Sequence, residues 1–227
     1  MDKEELNRRH SKADAADLIR DPIEKAERES LNALRQFDRG IEVIRSYLES
    51  DRPFRLRLSL ILDLHRVALE GLSAYAGNFR PAGISIEGST HEPVGAHLVP
   101  EMVEDMCDYV NDNWDIKTGI HLSSYIMWRL NWIHPFSDGN GRTSRILSYV
   151  VLCLKLGDVL PGTKAIPDFI TENRNPYFRA LEAADAASRD GNTDLSAMES
   201  LLEALLAKQL ITVVRTATGQ TDTRQTD

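Results

Sequence analysis

The chain has little of what would mark a specialised environment. It holds two cysteines, Cys107 and Cys153, and neither has a second cysteine or a histidine at a zinc-ligand spacing. Both lie inside apolar helical patterns and read as small core residues. No apolar run approaches the roughly 18 residues that cross a bilayer, and the start, Met1-Asp2-Lys3-Glu4-Glu5, is too polar for a secretion signal. A cytoplasmic location with no membrane partner is therefore expected. Basic charge is also short: a formal net charge of −8 and a pI near 5.3 leave no field for nucleic acid. There is no Gly, four residues and Gly-Lys-Ser/Thr, which removes the P-loop enzymes. A negative surface still permits ATP, because a few arginines and backbone N–H groups can invert the field inside a pocket.

What is present is helical periodicity, with 42% hydrophobic residues to fill a core. Residues 1 to about 20 are charged and alanine-rich and read as a frayed helix or mobile arm. From Pro22 to about Glu49, residues Ile23, Leu31, Leu34, Phe37, Ile41, Ile44 and Leu48 recur at helical intervals. A second stripe runs from Leu60 to Leu72. Between Gly77 and Pro100, glycines and Pro93 interrupt short alternating stretches such as Ile84-Ser85-Ile86, which predicts a small β-hairpin. Helical spacing resumes at Met102 to Val110 and at Leu122 to Ile133, where Pro135 ends it. The segment Ile146 to Leu156 is apolar on nearly every side and marks a helix surrounded by others. Further helices fit Asn175 to Ser188 and Leu195 to about Val214. The polar end, residues 216–227, has nothing to bury and reads as disordered. With no repeat and no linker, one mostly α domain over 21–215 is expected.

The chemistry concentrates in Ile133-His134-Pro135-Phe136-Ser137-Asp138-Gly139-Asn140-Gly141-Arg142-Thr143-Ser144-Arg145, a loop entering a helix N-terminus. There the unpaired N–H groups face outward, the helix dipole adds partial positive charge, and Gly139 and Gly141 let an anion approach the backbone. Arg142 and Arg145, three apart, share a face of the first turn and can reach successive phosphates. Cations at this end oppose the dipole at a cost of roughly up to 1 kcal/mol unless an anion lies between them. Asp138, the one carboxylate in the turn, suits a Mg²⁺ ion shared with substrate phosphates. His134 titrates near neutrality and suits a general base. Each residue also has a structural use taken singly: Asp138 as a helix cap, His134 as a satisfied histidine, the glycines as a plain turn.

These residues closely resemble the signature of the Fic family: His-Pro-Phe, two residues of which the second is acidic, Gly-Asn-Gly-Arg, two free residues, and Arg. The resemblance extends to Leu64-His65, Gly77-Asn78-Phe79-Arg80, the hairpin after it, and Asn175-Pro176-Tyr177-Phe178-Arg179-Ala180-Leu181, and so covers roughly residues 20 to 210. It implies a helical bundle with one β-hairpin flap, here about 83–98, whose Ile84, Ser85 and Ile86 would hold a target segment by strand-like pairing. It also implies transfer of AMP from ATP to a Ser, Thr or Tyr hydroxyl of a protein. His134 would be the base, Mg²⁺ would be held through Asp138, Asn140 and the Gly139 to Gly141 backbone would hold the α-phosphate, and Arg142 and Arg145 the β and γ groups. Tyr177 matches a position lining the adenine pocket, although a helical tyrosine is as readily core.

Two features depart from the pattern. Many relatives carry a self-inhibiting helix with Ser or Thr, then Glu four residues on, then Gly or Asn. Here Glu70-Gly71 is preceded by Arg66, Glu87-Gly88 by Gly83, and Glu199 is followed by Ser200. That leaves inhibition to a separate partner, to a divergent helix in residues 1–20, or to nothing. The flap segment Glu87 to Pro93 also has one proline where many relatives have two. A phosphorylating branch carries lysine in place of the second signature glycine, and Gly141 speaks against it. UMP transfer stays open, as does a nucleotide-responsive binding protein without turnover, although the latter needs neither base nor metal ligand. The sequence does not give the target, the regulator or the oligomeric state, homo-oligomer included.

Overall fold

The computed structural model describes residues 11–12, 17–50 and 52–218. The arm expected over 1–20 falls outside them except at 11–12 and 17–20, as does the expected tail from 219 onward. The helical bundle is as anticipated. Its elements are β1 Ser11–Lys12, α1 Pro22–Leu48, α2 Leu58–Leu69, β2 Ser85–Ile86, α3 Val99–Asp112, α4 Gly119–Ile133, α5 Asn140–Leu156, α6 Ile166–Glu172, α7 Asn175–Arg189 and α8 Ser196–Ala217. Thus 216 and 217 continue α8 rather than opening a tail, within the one or two residues by which helix ends vary. No helix among the described residues is long and apolar enough to cross a membrane.

α5 is the centre. Ile146, Leu147 and the run Tyr149 to Cys153 are all buried, and α1, α2, α4 and α6 pack around it. The α4–α5 approach is close because Ser123 Oγ donates to Ser148 O and Ser148 Oγ donates to Ser123 O, each at 3.0 Å, so two small polar residues satisfy each other across the interface. Gly40 on α1 serves the same end, since a Cβ there would lie 2.8 Å from Ile146 Cδ1. Cys107 and Cys153 are buried as expected, and burial pushes the Cys107 thiol up to about 12 and raises that of Cys153.

Helix α1 starts where Asp21 accepts N–H bonds from Ile23 and Glu24 at 3.0 and 2.8 Å, with Pro22 in the first turn. Its inward face differs from the apolar stripe read in the sequence. Ile23 and Leu34 are 71% and 67% exposed, and the buried face is Asn32, Gln36, Gly40, Val43 and Ile44. The reason is hydrogen bonding: Asn32 Nδ2 donates to Glu70 O, just past α2, at 2.9 Å and Gln36 Nε2 to Leu64 O, within it, at 3.0 Å.

Among the described residues, strands pair at the flap, and an isolated antiparallel bridge joins Asp17 to Ser73. β2 does not pair with its own returning arm. It turns at Gly88 (φ 74°), where Ser89 N donates to Ile86 O, and its antiparallel partner is β1, with Ser11 opposite Ile86 and Lys12 opposite Ser85. The returning arm is instead pinned to α4 and its end: His91 Nε2 bonds Trp132 O at 2.7 Å, and Val94 O accepts from Arg80.

Candidate active site

Pro135 cannot continue α4, and the residue before a proline is kept from the right-handed helical region. His134 resolves this by turning left-handed (φ 52°, ψ 58°), the one non-glycine residue with positive φ among those described, while its N–H still bonds Leu130 O. The side chain is buried at 4% exposure. Its Nδ1 lies 3.1 Å from Asn131 O. A carbonyl only accepts, so Nδ1 carries the proton and Nε2 is the basic nitrogen, the tautomer a general base needs.

The loop that follows is locked from three sides. Asn140 clamps it internally: its Oδ1 accepts from Phe136 N at 2.9 Å and its Nδ2 donates to Phe136 O at 2.8 Å. His65 on α2 stacks on Phe136, with ring centroids 3.6 Å apart and 6° between planes. Its Nδ1 accepts from Gly77 N at 3.0 Å, so Nε2–H donates to Asp138 O, also at 3.0 Å. Burial, together with Arg142 nearby, outweighs the Asp138 carbonyl and lowers the His65 pKa to about 4, so the ring is neutral. From the third side, the buried Arg80 donates Nε to His134 O at 2.7 Å, Nη1 to Ala82 O at 2.9 Å and Nη2 to Val94 O, and its backbone N to Pro135 O. Three carbonyls satisfy this guanidinium at the negative end of α4.

Gly139 and Gly141 have different reasons. Gly139 sits at φ 80° and a Cβ there would meet Leu69 Cδ2 at 2.5 Å, so only glycine fits. At Gly141 the backbone is ordinary, and a Cβ would meet only Arg145 Nη1, at 3.0 Å. No side chain caps the N-terminus of α5, so its first N–H groups are available to an anion.

The charges divide sharply. Asp138 Oδ1 accepts from Gly139 N and its Oδ2 pairs with Arg142 Nη2, both at 2.6 Å. Burial pushes this carboxyl up, but Arg142 and the Gly139 N–H outweigh that and leave it below the usual range, hence ionised. Arg145 has no such partner: among the described residues no carboxylate pairs with it. Burial lowers its pKa to about 10, the Tyr177 hydroxyl raises it, and Arg174 and Arg142 add repulsion. For a metal the donor set is thin, since no cluster of three His, Cys, Asp or Glu exists among the described residues. A partly exposed, ionised Asp138 fits Mg²⁺ only if phosphate oxygens and water complete the shell.

The structure thus brings His134, Asp138, Gly139, Asn140, Gly141, Arg142 and Arg145 into one turn. Tyr177 stands behind it, buried, with its hydroxyl accepting from Asn131 Nδ2 at 2.8 Å. Ile84 is half-buried, Ser85 exposed and Ile86 buried. His65, Arg80 and Asn131 were given no role from sequence. His65 and Arg80 reach the distant carbonyls of Asp138 and His134, and Asn131 the hydroxyls of Ser144 and Tyr177, which no spacing announces, although the Leu64-His65 and Gly77 to Arg80 segments were already picked out by resemblance.

Residues 55–152 match the family model described as Fic/DOC family. Among curated proteins the chain is similar to the protein adenylyltransferase fic-1 of Caenorhabditis briggsae, at 28% identity over 152 residues, covering 65% of this chain and 28% of that protein. The chain therefore spans little more than a quarter of the length of that relative. Among solved structures it shares its fold with a Fic domain containing signaling protein from Bacteroides thetaiotaomicron, with TM-score 0.66, 23% identity, and 84% and 74% of the two chains covered. A Fic family protein from Desulfovibrio desulfuricans G20 gives TM-score 0.65 and 21% identity, covering 90% and 57%.

Proposed function

We propose that the chain is a Fic/DOC protein, on the match of its residues 55–152 to that family's model, and a protein adenylyltransferase, moving AMP from ATP to a Ser, Thr or Tyr hydroxyl of a protein. One observation carries the reading: a buried histidine with its basic nitrogen set by Asn131 stands beside an uncapped helix N-terminus whose Arg145 pairs with no carboxylate among the described residues. An isolated cation there opposes both burial and the dipole, and a polyphosphate relieves both.

His134 Nε2 takes the proton of the attacking hydroxyl as its oxygen bonds the α-phosphorus and pyrophosphate leaves. The N–H groups at the start of α5 hold the α-phosphate, because the Asn140 carboxamide is committed to Phe136. Arg145 reaches the terminal phosphate and Arg142 the one before it, and Asp138 is the residue that would hold Mg²⁺. The ion, when bound, supplies charge neutralisation on the phosphates. The flap around β2 holds the target. With no carboxylate on Arg145 among the described residues, restraint on the γ-phosphate position is left to a separate partner, to residues 1–20, or to nothing.

The test is incubation of the protein with a cell lysate and ATP labelled at either the α- or the γ-phosphate. Label from α on a protein supports AMP transfer. Label from γ alone makes the chain a kinase, and tight nucleotide binding with no protein label makes it a binding protein. Labelled UTP in a parallel reaction separates UMP transfer.

A further inference from the structure

A cation without an acid also stands outside the catalytic turn. On α4, Arg129 lies against two tryptophans, its Cζ 4.4 Å from the Trp132 ring centroid and 5.8 Å from that of Trp128. An indole face attracts a guanidinium but leaves its N–H groups unused. Arg129 makes no ion pair among the described residues, and its Nε is shielded from solvent with no hydrogen-bond partner. The terminal Nη pair is the edge open to an acceptor. The buried Asp185 on α7 serves Trp128 instead, accepting from its Nε1 at 3.0 Å, and forms no ion pair with Arg129.

This cation borders the flap. Trp132 O holds His91 Nε2 at 2.7 Å and the two rings lie 5.2 Å apart, so Arg129 and the returning arm of the flap touch the same indole. From α7 the exposed Arg189 donates Nη2 to Thr90 Oγ1 at 3.1 Å, a neutral acceptor that leaves the charge uncompensated. Glu92, the exposed acid next to His91, pairs with neither arginine. Two guanidiniums from different helices therefore flank residues 90–91, in a chain whose net charge is −8. Trp132 and Arg129 stand two and five residues before His134. A segment that lies along the flap and presents its hydroxyl to that imidazole runs past them.

We propose that Arg129, on its Trp132 platform and assisted across the flap by Arg189, reads a carboxylate of the target, so that the modified segment carries Asp or Glu close to the acceptor hydroxyl. The proposal rests on the adenylyltransferase reading of the neighbouring turn. A guanidinium held against an indole keeps its planar fork oriented, and a carboxylate accepting from both Nη groups adds two charge-assisted bonds without displacing a contact already made. Arg129 touches the target and not the nucleotide, so it sets which segment is modified.

The experiment uses the full chain with Mg²⁺, a cell lysate and ATP labelled at the α-phosphate, and labelled residues are located by peptide mass spectrometry. The readout is the ratio of label at hydroxyls with a nearby Asp or Glu to label at all other hydroxyls of the same proteins. Wild type should favour the acid-flanked sites. Arg129→Gln should lower the ratio by at least about fivefold, Arg189→Gln by less, and Arg129→Glu should turn the preference toward Lys and Arg flanks. ATP affinity within a few-fold of wild type shows that each variant is folded, and a merely structural arginine would not move the ratio. Added salt should erode the same ratio in the wild type, a measurement that needs no variant. Labelled sites with no excess of acids, an excess that persists in Arg129→Gln and Arg129→Glu, or a ratio indifferent to salt overturns the proposal and leaves the function reading standing. No label on any protein overturns the function reading, and this proposal with it.

Discussion

The catalytic turn and the flap are both irregular, glycine-bearing segments between helices, yet they are built oppositely. From His134 to Ser137 every residue is buried, and the turn's carbonyls at His134, Phe136 and Asp138 are held by Arg80, Asn140 and His65. From Pro81 to Pro93 most residues are exposed, and the segment is held chiefly at its ends. The difference follows from the work proposed for each. Proton transfer demands a geometry fixed before substrate arrives, whereas strand addition demands backbone groups left free for another chain.

The largest effect expected from disturbing the fixed half is catalytic. His134→Ala should lower transfer by about 10² to 10⁴-fold while leaving ATP affinity within a few-fold, because the imidazole acts on the hydroxyl and not on the phosphates. Rate assays beside calorimetric ATP titration check this, and an affinity loss as large as the rate loss would mean the wrong role. Gly139→Ala comes next. It combines a left-handed backbone with a 2.5 Å approach to Leu69 and should cost roughly 2 to 4 kcal/mol in urea unfolding. Gly141→Ala should leave stability within about 1 kcal/mol and instead weaken ATP binding, since only the Arg145 side chain must move.

Acid should act on the same half. The folded His65 pKa, about 4 against 6.5, is depressed by burial, so its contribution is complete above pH 6.5 and drains away as pH falls toward 4. The loss should total roughly 3 kcal/mol, seen as a steep fall in unfolding free energy that flattens in His65→Gln. A wild-type curve no steeper than the variant's would remove His65 from the lock. The smallest effect belongs to the flap: Gly83→Ala meets nothing within 4 Å and should raise stability by no more than about 1 kcal/mol. A loss like that of Gly139→Ala would erase the contrast between the halves.

How much of this was legible in the chain follows the same division. The turn could be read whole because its members are contiguous and Pro135 fixes where α4 stops. The long helices were legible from apolar period, and α5 from its apolar surround. α6 escaped, since seven residues are too few for a period and its start rests on Asp168 reaching back to Ala165 N at 2.9 Å. The inward face of α1 escaped because Asn32, Gln36 and Gly40 are polar or small. The pairing of β1 with β2 was invisible because it uses main-chain groups, which any sequence supplies. His65 and Arg80 act on carbonyls more than fifty residues away, and distance of that kind leaves no local pattern.

Both native thiols are buried, and burial raises their pKa values, so at neutral pH the folded chain offers almost no thiolate to an alkylating or fluorescent maleimide reagent. A single cysteine introduced at the exposed Ser85 would therefore report alone, without removing Cys107 or Cys153 from the core. Its reaction rate would follow how often the flap edge is uncovered, turning strand exchange at β2 into an optical signal readable during turnover.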